Sequence, residues 1–367
     1  MAMRIFLLLL ILFIGIGGFL AVKDYFSTYV LPEIATPVVE NIKQQLPTAT
    51  PKVSLQTPPP SKILPNNYHT FQSYNNCGPA ALSMALSYYG IQKSQQELGQ
   101  SLRPYQIPGG DNDDKSVTLE EVAEKSKEFG LIPYLRPVGD IEKIKLFISY
   151  DIPVIARTWL KPNDDIGHYR IIKGYAGNTI IQDDSLQGKN LRYSENEFND
   201  IWKKFNYEYL VLVPAEKKEI VEAILGEDLD EKVALQKSIK ISEQQLQQNP
   251  NDTTARFNLS VTFYHLGNYQ KSVEEFEKVE NQLSFRTLWY QIEPILSYYE
   301  LGNYTKAFEI TDKILNNHNR AFSELYLLRG NIYLKQGNTT SAKQEFEKAV
   351  MYNQSLKSAK DALNSLN

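Results

Sequence analysis

A four-residue phrase returns at a fixed interval in the second half of this chain. Leu266-Gly267-Asn268-Tyr269 comes back as Leu301-Gly302-Asn303-Tyr304 and then as Gln336-Gly337-Asn338-Thr339. The starting positions 266, 301 and 336 set a period of 35. Ser272, Ala307 and Ala342 keep the register, as do Val279, Ile314 and Ala349. Phe257, Val261 and Tyr264 make one helical stripe, and Tyr269, Val273 and Phe276 make the next. Two short helices around a glycine turn cannot bury a core alone. They must stack on copies of themselves, which predicts an all-α solenoid.

The pattern resembles tetratricopeptide repeats over about residues 235–360, with units near 253–286, 288–321 and 323–356. The family period is one residue shorter, the first-helix Trp is absent, and Ile295 stands where a small residue is expected. Pro294 should bend its helix. The resemblance implies a concave face that binds a peptide or a partner protein. A spacer with no ligand is the bland alternative.

The first half carries chemistry rather than repetition. The chain's only cysteine, Cys77, opens the run Cys77-Gly78-Pro79-Ala80. Pro79 suits a first helical turn, because its missing N–H would have no partner there. Leu82, Ala85, Leu86 and Tyr89 follow at helical spacing, and Gly90 is a natural stop. A thiol at a helix N-terminus meets the positive end of the dipole, which favours thiolate. A lone cysteine is more often a small buried hydrophobe, so the neighbours must decide.

His168 lies in the strand-like run Gly167 to Tyr175. Gly177 and Asn178 mark a turn, and a second run ends at Asp183 and Asp184. Adjacent strands would bring His168 to one of these carboxylates. Cys, His and Asp in this order match a papain-type constellation. Gln72, five residues before Cys77, could donate to a developing oxyanion alongside the Cys77 backbone N–H. A structural strand histidine, a solvated hairpin end and a surface glutamine are the competing readings.

Over about residues 66–214 these motifs resemble the bacteriocin-processing peptidases, cysteine peptidase family thirty-nine of the papain-like group. The resemblance rests on Gln72 to Ala80, the apolar run 151–160, Gly167 to Tyr175, and Asp183 to Gly188. It implies Cys77 as nucleophile, His168 as base and acid, Asp184 as orienter and Gln72 as oxyanion donor. The family's Gln often stands one residue further upstream. Members commonly have Asp-Pro where this chain has Asp184-Ser185, so Asp183 stays open. No transporter is attached, so cutting after two glycines is not implied.

The N-terminus predicts export. Ile5 to Val22 is an unbroken apolar stretch between Arg4 and Lys23. At about 1.5 Å per residue it just spans a bilayer. An uncleaved signal anchor over 1–24 is the preferred reading, and a cleaved signal the alternative. Residues 25–65 are rich in proline, with Pro58-Pro59-Pro60, and read as a stalk. Thr118 and Glu121 form a capping box before a helix, Ile141 to Tyr150 is another helix, and strands dominate thereafter. The whole is an α+β papain-like domain at 66–214 and a tetratricopeptide-repeat domain at 215–367, behind a membrane anchor. Trp159 either lines the cleft or packs in the core.

A net charge of −4 gives no case for a nucleic-acid partner. One cysteine precludes an intramolecular disulfide framework. No His/Cys cluster has metal-ligand spacing, so neither metal nor cofactor is expected. The acidic run Asp111 to Asp114 reads as a solvated loop. The expected function is an exported, membrane-anchored cysteine peptidase acting on a peptide or protein, with a protein partner on the repeats. A silent peptide-binding scaffold and an acyltransferase using the same triad are the alternatives.

Overall fold

The structure is a computed structural model that describes residues 53–66, 68–102, 111, 117–317 and 319–366. The expected anchor at 1–24, most of the stalk and the acidic residues Asp113 and Asp114 lie outside the described residues. Among the described residues no helix is long and apolar enough to cross a membrane. The described residues form one compact unit.

The described chain begins with a short strand, β1 (Ser61–Ile63), that was expected to be stalk. It pairs with the strand that carries the histidine, and Leu64 behind it is buried. Proline-rich composition does not prevent a three-residue edge strand when its partner offers free backbone groups. Helix α1 (Cys77–Ser87) follows, then α2 (Gln95–Leu102) and α3 (Leu119–Lys127). Thr118 and Glu121 cap α3 reciprocally, as their spacing predicts. Next come β2 (Ile132–Arg136), α4 (Ile141–Ser149), β3 (Val154–Trp159), β4 (Gly167–Ala176), β5 (Thr179–Asp184) and β6 (Gly188–Ser194). Helix α5 (Glu195–Trp202) and β7 (Tyr209–Val213) complete this part.

The strands form one antiparallel sheet in the order β2-β7-β3-β4-β5-β6, with β1 beside the far half of β4. Gly177 and Asn178 make the hairpin between β4 and β5. One sheet face is covered by α1 and α3, through Leu82, Ala85 and Val122 against Ile155, Tyr169 and Ile171. The other face presents Val154, Ala156 and Ile172 to α4 and α5.

The helical half starts with α6 (Lys218–Leu225) and α7 (Glu231–Gln248). The repeats are α8 (Thr253–His265) with α9 (Tyr269–Glu277), then α10 (Thr287–Tyr290) with α11 (Glu293–Glu300) and α12 (Tyr304–Asn316), then α13 (Ser323–Lys335) with α14 (Thr339–Tyr352). Helix α15 (Lys357–Asn364) closes the described chain. Each repeat turn has the same chemistry. Gly267, Gly302 and Gly337 take φ near +73 to +76, which only glycine adopts without strain. Asn268, Asn303 and Asn338 then each accept a backbone N–H of the next helix. Ser272, Ala307 and Ala342 are fully buried.

Pro294 does more than bend its helix. It sits in the first turn of α11, and Gln291 before it is extended, so the expected single helix becomes α10 and α11. The repeats also share a core with the sheet. Phe257, Val261, Trp289 and Tyr290 belong to the same apolar cluster as Ala156, Trp159, Trp202 and Tyr209. Asn206, Ser238 and Thr262 form a buried hydrogen-bonded knot across that seam.

Candidate active site

Cys77 is the first residue of α1 and is 7% exposed. The loop before it is held from behind. Asn76 Nδ2 donates to both the carbonyl and the Oε1 of Gln95, and Gln95 Nε2 donates to the Phe71 carbonyl. Gln95 Oε1 also accepts the Ser73 N–H at 3.0 Å. Gly99 leaves the room this needs, since a methyl group there would meet Asn76 Oδ1 at 2.6 Å.

His168 lies on β4 opposite Thr158 of β3 and is 2% exposed. Its Nε2 is 3.0 Å from Asp184 Oδ1, and the Cys77 thiol is near enough to favour the protonated ring. With Nε2 taken by Asp184, Nδ1 is the nitrogen left for sulfur. Asp184 closes β5 opposite Arg170. Its Oδ1 accepts the Leu186 and Gln187 N–H groups at 2.7 and 2.8 Å. Arg170 Nη1 stands 2.8 Å from the other carboxylate oxygen, and both side chains are fully buried.

These contacts set the charges. Burial opposes a proton on His168, but Asp184 and Cys77 outweigh it and hold the imidazole above its ordinary 6.5. Burial likewise opposes a charge on Asp184. The His168 bond, the Arg170 charge and the Gln187 N–H overcome it and hold the carboxyl at about 2.

Asp183 faces the other way. It accepts from Lys173 Nζ at 2.7 Å and from the Asn190 N–H at 2.7 Å. Successive strand residues point to opposite faces, so the geometry places Asp184, and not Asp183, against the imidazole. Gln72 is tied to the same turn. Its N–H donates to the Ser185 carbonyl at 2.9 Å and its Oε1 accepts from Ser185 Oγ at 2.7 Å, which leaves the NH2 end to donate. Ser185, standing where proline is common in the resembling family, supplies a hydroxyl that proline lacks. Trp159 is 9% exposed and joins the shared core, with Lys204 Nζ 5.0 Å from its ring centre. It also borders a cavity of about 630 Å³ between sheet and repeats. Among the described residues no cluster of His, Cys, Asp or Glu could hold a metal ion.

Residues 57–210 match the family described as "Peptidase_C39 like family", and residues 323–356 match a tetratricopeptide repeat. The chain carries a Peptidase_C39-like domain. Its match starts within the expected stalk, where β1 joins the sheet. No curated protein matches the chain. Solved structures similar to the C39-like domain include a C39-like peptidase from Bacillus anthracis, 15% identical with a TM-score of 0.35, covering 41% of this chain and 97% of that one. The peptidase domain of Streptococcus ComA, a bi-functional ABC transporter, is 22% identical with a TM-score of 0.32, covering 42% and 98%. A tetratricopeptide repeat protein from Parabacteroides merdae is 20% identical with a TM-score of 0.32, covering 41% and 64%.

Sequence reasoning missed Arg170 in this C39-like domain, although strand alternation places it two residues from His168 on the same face. Asn76, Gln95 and Ser185 carried no sequence signal, because their roles depend on chain segments that only the fold brings together.

Proposed function

We propose that this protein is an exported cysteine peptidase, tethered by its apolar N-terminus, with repeats that bind a protein or peptide. The observation that carries the reading is the buried His168–Asp184 pair, joined at 3.0 Å, with Cys77 at the start of α1 near enough to favour the charged ring. Cys77 Sγ attacks the amide carbonyl and forms a C–S bond. The Cys77 N–H and the Gln72 amide donate to the oxyanion. His168 gives its Nδ1 proton to the departing amine as the C–N bond breaks, leaving a thioester. The neutral imidazole then takes a proton from water, whose oxygen attacks the thioester and releases the acid and the thiolate. Asp184 holds the ring in place and balances its charge throughout, and Arg170 holds Asp184.

Support for the tether comes from Ile5 to Val22, and support for the binding role from the repeats. Unstructured peptides incubated with the protein should be cut, and Cys77→Ser should abolish cutting while leaving the fold intact. Iodoacetamide at pH 6 should label Cys77 faster than free cysteine. Absence of both effects would leave a silent scaffold. Protease added to intact cells should digest the folded part; a protected protein would defeat the export reading.

A further inference from the structure

A cavity of about 310 Å³, at the lower end of ligand-pocket sizes, is lined in part by Gln72, the candidate oxyanion donor. Four stretches of chain converge on it. Residues 72–75 lead into Cys77, Ile166 stands two residues before His168, and Leu186 stands two after Asp184. The fourth wall comes from the repeats, through Arg286 and Tyr290. Tyr290 rests directly on the catalytic strand, since a methyl group on Gly167 would lie 2.9 Å from its ring.

That wall is fastened in three places. Arg286 Nη1 donates to Asp165 Oδ1 at 2.7 Å, and the Arg286 N–H donates to Asp165 Oδ2 at 3.2 Å. Arg157 Nη2 donates to the Tyr290 carbonyl at 2.6 Å. The helix break before Pro294 is what frees α10 to lie here instead of continuing into α11. Because Asp165 balances Arg286, the pocket presents no net charge from this pair. Tyr74 and Leu186, 65% and 47% exposed, add an apolar rim that nothing in the described chain covers.

We propose that Arg286 and Tyr290 close one side of the substrate cleft. The pocket they form with Tyr74, Ile166 and Leu186 takes a large apolar side chain of the peptide beside the bond being cut. The inference rests on the peptidase reading. The repeats are then part of the substrate-recognition surface and not only a remote recruiting arm.

The test uses two alkylating reagents, N-methyl and N-benzyl iodoacetamide, on the full chain. Their rate ratio at Cys77 is compared with their ratio on free cysteine. The wild type should favour the benzyl reagent at least about tenfold over free cysteine, which is about 1.4 kcal/mol in the barrier. Leu186→Ala, Arg286→Ala and Tyr290→Ala should each bring the ratio back toward that of free cysteine. Melting curves identify any variant that fails to fold; Leu186 is half-exposed and provides the safest of the three. A wild-type ratio equal to that of free cysteine overturns the pocket alone. A ratio lowered by Leu186→Ala but untouched by folded Arg286→Ala and Tyr290→Ala overturns the contribution of the repeats. If Cys77 takes neither reagent, the peptidase reading falls and the pocket with it.

Discussion

The second and third repeats have the same turn, the same asparagine cap and the same buried small residue, yet their first helices differ. In the third, α13 runs unbroken from Ser323 to Lys335. In the second, the corresponding stretch is split into α10 and α11, and Trp289 and Tyr290 enter the core beneath the sheet. The third repeat keeps its first helix whole and reaches the first domain at its end, where Ser355 Oγ donates to the Ser101 carbonyl at 2.7 Å. The second gives up helical hydrogen bonds and regains them on the neighbouring domain, where Arg157 binds the Tyr290 carbonyl and Asp165 the Arg286 N–H. An irregularity inside a repeat array thus marks where the array has become part of another structure.

Shortening the chain breaks this comparison most severely. The sequence alone suggests that a chain ending near Pro214 should fold and keep its Cys77 chemistry. The structure argues otherwise, because such a chain removes Phe257, Val261, Trp289 and Tyr290 from a core shared with the sheet. Each buried side chain of this kind contributes about 1.5–3 kcal/mol, against a total stability of about 5–15 kcal/mol. The shortened chain should show no cooperative melting transition. Ending the chain at Asn317 instead, which removes the third repeat, should preserve both a transition and Cys77 alkylation. A well-folded chain ending at Pro214 would show that the shared core is dispensable.

Arg157→Ala should come next. It unhooks Tyr290 and leaves Glu208 without its partner at 3.2 Å in the seam. Glu208 is partly exposed, so losing these hydrogen bonds should cost about 1–3 kcal/mol, readable as a shift in urea midpoint. A loss well under that would mean the seam is held by apolar contact alone.

Within the sheet the contrast recurs between two neighbours. Asp184→Ala should slow Cys77 alkylation at least about tenfold, or about 1.4 kcal/mol, whereas Asp183→Ala should do much less. The reverse ranking would move the orienting role to Asp183.

The smallest effects are pH dependences of opposite sign. Glu208 is raised from 4.5 to about 7, chiefly by burial, with Arg157 opposing. Its folded state favours the protonated form, so it costs stability as pH rises from the ordinary value through about 7. Glu208→Gln should therefore gain stability relative to the wild type between about pH 5 and pH 8, as measured by urea midpoints. Asp184 works the other way. Its contribution is present above 3.8 and is lost as pH falls through about 2. His168, raised above 6.5, contributes fully below that value and loses its contribution as pH climbs through the folded one. A difference between Glu208→Gln and wild type that does not change with pH would contradict a carboxyl whose protonated form the seam favours.

Local chemistry made much of this protein legible in its sequence. The glycine turns, the asparagine caps, the Thr118 capping box and the helix starting at Cys77 each depend on a few adjacent residues. Strand alternation also separated Asp183 from Asp184 as occupants of opposite faces. Three results needed the tertiary structure. Residues 61–63 became a strand only because β4 had an open edge. Arg170 became the partner of Asp184 only once β4 and β5 were in register. The repeats became a wall of the candidate cleft only because Pro294 splits a helix beside a sheet face that still had apolar area to bury. Backbone turns and caps are decided by neighbours in sequence, whereas pairing edges and shared cores are decided by whichever distant segment buries them.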